Sequence, residues 1–182
     1  ATTNAAMGKA VSENKPFFAY FVPTAPHGPN IRKAMNAFNT SVTPAGVLSV
    51  APDANFTMTR AEIVTAGDGS WQMMGTIWCD QALGSLLAKL EDLKVLENTL
   101  VIVSQDHGQM AKGTLMEGGM RTAFMARLPG VITAGSSVVH ATTSLDFAPT
   151  VLDFLQFTTP FDMDGVSWWS AVTTADKSLV SD

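Results

Sequence analysis

Met74, Ile77, Trp78, Leu83, Leu86, Leu87, Leu90 and Leu93 recur at spacings of three and four. That period predicts one helix from about Ser70 to Lys94 with a single wet face. Glu97-Asn98 makes the turn, and Thr99 to Ser104 follows as a short continuous apolar run, the pattern of a parallel strand covered on both faces. Lys15 to Val22 is aromatic and β-branched and is stopped by Pro23, which predicts another buried strand with a loop, Thr24 to Asn30, after it. Thr122 to Arg127 reads as a further strand. Leu145, Ala148, Leu152 and Leu155 have helical spacing, with Pro149 tolerated near the first turn. From Asn30 to Asp68 the period is weak, and at most a short helix near Arg60 to Thr65 is expected. The order β, long helix, β, Gly-rich loop, β, helix implies βαβ architecture and an α/β fold with a mostly parallel sheet. Thr159 to Asp182 reads as a partly ordered tail, and no repeat or second domain is visible.

The 182 residues allow one domain or a piece of a larger one. Apolar residues make up 46% and charged ones 15%, which excludes a disordered chain and fits a large buried sheet. The net charge of −5, without blocks of like charge, argues against a nucleic-acid partner. No apolar run reaches the roughly 18 residues of a membrane span. The single cysteine, Cys79, excludes an internal disulfide or a cysteine zinc cage, so metal chemistry falls to Asp, Glu or His. The chain starts with Ala1, and Ala1 to Lys15 lacks the pattern of a signal peptide, so the start is expected to be a cut inside a longer chain. Asn39-Thr40-Ser41 and Asn55-Phe56-Thr57 fit the glycosylation acceptor pattern.

Ligands collect beyond the carboxyl ends of strands in open α/β sheets, and the 99–104 run ends in Gln105-Asp106-His107-Gly108. Asp106 and His107 can reach one hard cation if Gly108 allows a sharp turn, although such ions want about six ligands. An Asp that caps a helix beside a loop His is the plainer reading. His27, between Pro26 and Pro29 after a predicted strand, is placed as an oriented acid or base or as an ordinary loop imidazole. Lys112-Gly113-Thr114 with Glu117-Gly118-Gly119-Met120-Arg121 forms a Gly-rich loop that either binds an anion or is a solvated turn. Cys79 reads as half-buried helix packing, because nothing near it lowers its pKa. Trp168 and Trp169 with Phe161 are expected to cover the end of the core. Asp146 suits a helix N-terminus, and His140 has no assigned role.

Taken together, Pro16 to Tyr20 with Pro26-His27, Asn98 to Ile102 with Asp106-His107-Gly108, Lys112-Gly113-Thr114 and Glu117 to Arg121 resemble the sulfatase family in order and spacing. Pro129 to Ile132 with Ala134-Gly135, Leu145 to Thr150 and Met163 to Ser167 continue the resemblance. It covers roughly residues 15–170 and leaves 171–182 as a tail. It implies an alkaline-phosphatase-like α/β fold, a mostly parallel sheet sandwiched by helices and incomplete at its N-terminal side. The resemblance implies that Asp106 and His107 are ligands of Ca²⁺, with Mg²⁺ as the other candidate. It also implies that His27 contacts the sulfate and protonates the departing alcohol oxygen. Lys112 then binds a sulfate oxygen, and Glu117 with Arg121 braces the lysine loop.

The family's Cys/Ser-x-Pro-x-Arg segment, source of the formylglycine nucleophile, and its preceding Asp-Asp pair are both missing from the 182 residues. The resemblance therefore implies the second half of a catalytic domain, with the formylglycine upstream and the chain inactive alone. Its substrate is a sulfate ester of unspecified kind, and analogy favours a secreted, periplasmic or lysosomal-type compartment. Three alternatives stand: a phosphoester or phosphonate ester hydrolase of the same superfamily, a non-catalytic relic that binds a cation or a partner, and a plain structural module in which Asp106, His107, Lys112 and His27 coincide by chance.

Overall fold

Two helices of the first unit begin where a polar side chain satisfies the first orphan amides. In the computed structural model, which describes residues 3–27, 30–37, 42–43, 46–47, 56–108, 110–138, 141–158, 161–173 and 180–181, the chain forms two units, Ala1–Leu96 and Glu97–Asp182. The first runs through α1 (Thr3–Ser12), α2 (Asn30–Met35), the antiparallel pair β1 (Val42–Thr43) and β2 (Gly46–Val47), α3 (Arg60–Ala66) and α4 (Trp71–Asp92). Ser70 Oγ accepts from the Met73 amide at 3.3 Å and starts α4. At α3, Thr59 Oγ1 accepts from the Glu62 amide while the Glu62 carboxylate accepts from the Thr59 amide at 2.7 Å, closing a capping box.

α4 lies against α2 and α3, and Ala25, Ile31, Met35, Ile63 and Met74 make the buried core of this unit. Arg60 ties its edges together. Its guanidinium donates to the Ala34 carbonyl at 2.6 Å and the Val42 carbonyl at 2.7 Å, and lies 5.5 Å over the Trp78 ring. The helical period around Met74 is thus realised within a residue or two of its expected ends.

The second unit runs through β3 (Val101–Ser104), α5 (Glu117–Met120), β4 (Phe124–Arg127), β5 (Ser137–Val138), α6 (Phe147–Phe154), α7 (Trp169–Thr173) and β6 (Val180–Ser181). β3 pairs with β4 in antiparallel register, Val101 opposite Arg127 and Ser104 opposite Phe124, and β5 pairs with β6 in the same sense. Thr150, fully buried on α6, donates to the Asp146 carbonyl at 2.6 Å and accepts from the Trp168 amide at 3.0 Å. Trp168 meets Phe124 edge to face at 5.4 Å, and Trp169 meets Phe154 at 5.0 Å, so both tryptophans cover the core as expected. Phe161, in contrast, is exposed.

Several expectations change. Residues 15–24 form neither helix nor strand, and Phe18, Tyr20 and Val22 are exposed. A strand exists only where a neighbouring strand pairs with it, and among the described residues no strand does so here. β3 is half-buried rather than covered on both faces, and its partner among the described residues is antiparallel. The connection to β4 carries only the single-turn α5 and no crossover helix, so it reverses the chain. The 30–68 stretch holds α2 as well as the expected α3. Part of the expected tail belongs to the core, since Trp168 and Ala171 are buried. Asn39 to Ser41, Asn55 and His140 lie outside the described residues. Among the described residues, no helix is long and apolar enough to cross a membrane.

Candidate functional site

His27 closes a turn in which its amide donates to the Thr24 carbonyl at 3.0 Å. The turn is seated on α4. A Cβ at Gly75 would stand 2.6 Å from both Cα and Cβ of Pro26, so glycine is what admits the loop backbone this close. About one helical turn further, Cys79 Sγ donates to the Ala25 carbonyl at 3.2 Å, and burial pushes the thiol pKa up. Cys79 is therefore a neutral packing and hydrogen-bonding group, not a nucleophile. His27 itself is exposed beyond this anchored turn. Gly28 and Pro29 lie outside the described residues.

Asp106 and His107 follow the end of β3, where the Ala123 amide donates to Gln105 Oε1 at 3.2 Å. Asp106 does not cap a helix; its Oδ1 accepts from the His107 amide at 3.0 Å. Its Oδ2 stands 3.4 Å from His107 Nε2. On the other side of the ring, Nδ1 is 2.9 Å from the Gly108 carbonyl oxygen, which only accepts, so Nδ1 carries the proton of that bond. That leaves Nε2 and the Asp106 Oδ2 as neighbouring ligand atoms. Ligands at right angles on an ion with bonds of about 2.3–2.6 Å lie roughly 3.3–3.7 Å apart, so the observed spacing fits a shared cation. The donor types fit as well, a hard carboxylate and an imidazole. They are two of about six ligands such an ion wants, and no cluster of three or more His, Cys, Asp or Glu occurs among the described residues.

Lys112 sits between Ala111 and Gly113, whose φ angles of 58° and 81° reverse the loop on either side of it. The Ala111 carbonyl accepts from both the Thr114 amide at 3.1 Å and Thr114 Oγ1 at 2.8 Å, closing the turn. Lys112 is exposed, and among the described residues no carboxylate is within ion-pair reach of it. It is a compact point charge available to an anion. Glu117 and Arg121 pair at 2.8 Å across the exposed face of α5, a contact that supports the short helix and touches no other predicted site residue.

Asp106, His107 and Lys112 thus lie on one excursion of the second unit between β3 and β4, while His27 lies in the first unit. Sequence reasoning missed how each is held. Gly75 in the middle of a strong helical period is a sign of close backbone approach, and it could have pointed to the Pro26 contact.

The sequence model of the family described as Sulfatase matches residues 2–157. Among curated proteins, the chain is 35% identical over 95 residues to an N-acetylglucosamine-6-O-sulfatase of Bacteroides thetaiotaomicron, covering 48% of this chain and 17% of that protein. It is 40% identical over 83 residues to an ulvan-active sulfatase of Formosa agariphila, covering 44% and 16%. With human arylsulfatase A it shares 38% over 88 residues, covering 40% and 17%. The matched part is therefore about a sixth of these relatives' length. Among solved structures, a protein in complex with its substrate D-glucosamine-2-N,6-O-disulfate is similar at a TM-score of 0.54 and 29% identity, over 58% of this chain and 24% of that one. A phosphonate monoester hydrolase from Silicibacter pomeroyi is similar at 0.50 and 26% identity, over 90% and 33%.

Proposed function

Because this chain belongs to the Sulfatase family and has its alkaline-phosphatase-like α/β fold, we propose that it serves metal-assisted hydrolysis of a sulfate ester in the whole protein. The observation that carries the reading is the loop after β3, where two cation-ligand atoms 3.4 Å apart are followed by a lysine that has no carboxylate partner among the described residues. In this reading Asp106 and His107 give two ligands to a Ca²⁺ or Mg²⁺ ion. When bound, such an ion would supply positive charge beside the sulfate oxygens. Lys112 binds one of those oxygens and neutralises charge that grows in the transition state. His27, held out from α4 by the seated turn, orients the ester and gives a proton to the departing alcohol oxygen. No Cys/Ser-x-Pro-x-Arg segment occurs in the 182 residues, so none of them is assigned the attack on sulfur; formylglycine belongs to the proposal through the family alone. The same reading places the protein in a secreted, periplasmic or lysosomal-type compartment.

The likeness to a phosphonate monoester hydrolase supports a second reading, since a cation pair and a lysine also cradle a phosphoryl group. The test is to assay the whole protein on p-nitrophenyl sulfate and on a p-nitrophenyl phosphonate monoester. Sulfate turnover that falls about 10²–10³-fold in Lys112→Ala supports the first reading. Preference for the phosphonate supports the second, and turnover of neither favours the non-catalytic relic.

A further inference from the structure

Glycines 108, 118 and 119 stand where the excursion between β3 and β4 folds back on itself, and a Cβ added to any of them would come within 3.1 Å of backbone atoms. The Gly108 amide donates to the Gly119 carbonyl oxygen at 2.8 Å. A Cβ on Gly108 would run into the Gly118 carbonyl oxygen and stand 3.0 Å from that of Arg121. A Cβ on Gly119 would run into the Ala111 carbonyl oxygen and stand 3.2 Å from that of Thr114. A Cβ on Gly118 would stand 2.9 Å from Cβ of Met110. The turn holding Asp106 and His107 and the turn holding Lys112 therefore rest on one glycine face of α5.

From this we infer that Gly108, Gly118 and Gly119 form a backbone clasp whose job is positioning. It couples the Asp106–His107 cation site to the Lys112 anion site. The inference rests on the functional reading above. The physical reason is the shortness of the path. His107 adjoins Gly108, Gly108 is bonded to Gly119, and Gly119 abuts the Ala111 carbonyl, one residue before Lys112. No flexible side chain intervenes, so fixing one turn removes freedom from the other. Coupling of this kind is reciprocal: a cation held by Asp106 and His107 tightens the anion site, and the anion tightens the cation site.

The experiment is calorimetric titration of the whole protein with inorganic sulfate, with and without saturating calcium, in the parent, in Gly119→Ala and in Gly84→Ala. Gly84 has open space around its Cβ position and serves as the control for glycine replacement itself. Calcium is expected to tighten sulfate binding about tenfold in the parent and in Gly84→Ala, and less than about twofold in Gly119→Ala. Should Gly119→Ala fail to fold, hydrogen exchange of the Gly108 amide in the unmodified protein decides instead. The inference expects that amide to be protected and calcium to slow its exchange further. An unprotected Gly108 amide, sulfate binding indifferent to calcium in the parent, or undiminished coupling in Gly119→Ala overturns the clasp alone. A parent that binds no calcium, or no sulfate, overturns the functional reading and the clasp with it.

Discussion

The Cys79 thiol donates to the Ala25 carbonyl oxygen at 3.2 Å, which fastens the loop carrying His27 to the middle of α4. Burial raises the thiol pKa above its ordinary value of 9.0, so the folded state holds this proton more tightly than the unfolded chain. The contribution to stability is complete below pH 9.0 and is lost as the pH rises through the folded value. At pH 8, Cys79 is expected to react with a disulfide reagent more slowly than a small-molecule thiol, and at the same rate only after denaturation. Cys79→Ala should cost about 1 kcal/mol by chemical denaturation, the worth of one hydrogen bond. A fast native-state reaction contradicts this placement.

Gly75 makes the second fastening of the same loop. A methyl group there meets Pro26 backbone at 2.6 Å, and backbone cannot swing aside as a flexible side chain does. Gly75→Ala is expected to destabilise the protein by about 1–3 kcal/mol despite alanine's better helix propensity. It should also shift the NMR resonances of His27, while Gly84→Ala on the same helix leaves them in place.

The residue types of the candidate site were legible in the sequence, because a short apolar run followed by Asp106-His107-Gly108 and a Gly-rich loop with Lys112 are local patterns. The α4 period was legible for the same reason, eight apolar positions repeating one helical angle. Strand partners were not legible. An apolar run carries no mark of which segment pairs with it, so the pattern alone predicts a parallel partner for β3 and a strand at Lys15 to Val22, while the partner of β3 among the described residues is antiparallel. The backbone contacts that hold the site were also hidden. Gly118-Gly119 looks like flexibility in a sequence, whereas in the fold both glycines are spaces filled by Met110 and Ala111.

Asp106→Asn tests the cation reading without relying on turnover. Asparagine keeps an oxygen to accept from the His107 amide but removes the charge that attracts a divalent ion. Calcium affinity of the whole protein is expected to fall at least about tenfold, with the fold unchanged by circular dichroism. Equal affinity in parent and variant removes Asp106 from the ligand set.

Asp146 shows how a carboxylate on the same unit serves structure instead of chemistry. Its Oδ1 accepts from the Val166 amide at 2.8 Å and its Oδ2 from the Thr143 amide at 2.7 Å, joining the start of α6 to the segment before α7. Gly165 makes the approach possible, since a Cβ there would run into the Leu145 carbonyl. The two amides, Val166 first, hold the Asp146 carboxyl below its ordinary value of 3.8. A lowered folded pKa gives stability that is present above pH 3.8 and lost as the pH falls through the folded value. The parent should therefore lose stability on acidification below about pH 4 more steeply than Asp146→Asn. Asparagine offers one accepting oxygen for two amides, so the variant should be less stable at pH 7, by about 1 kcal/mol, a cap-sized effect at an exposed site. Urea denaturation from pH 2.5 to 7 measures both, and parallel pH profiles for parent and variant would falsify the assignment.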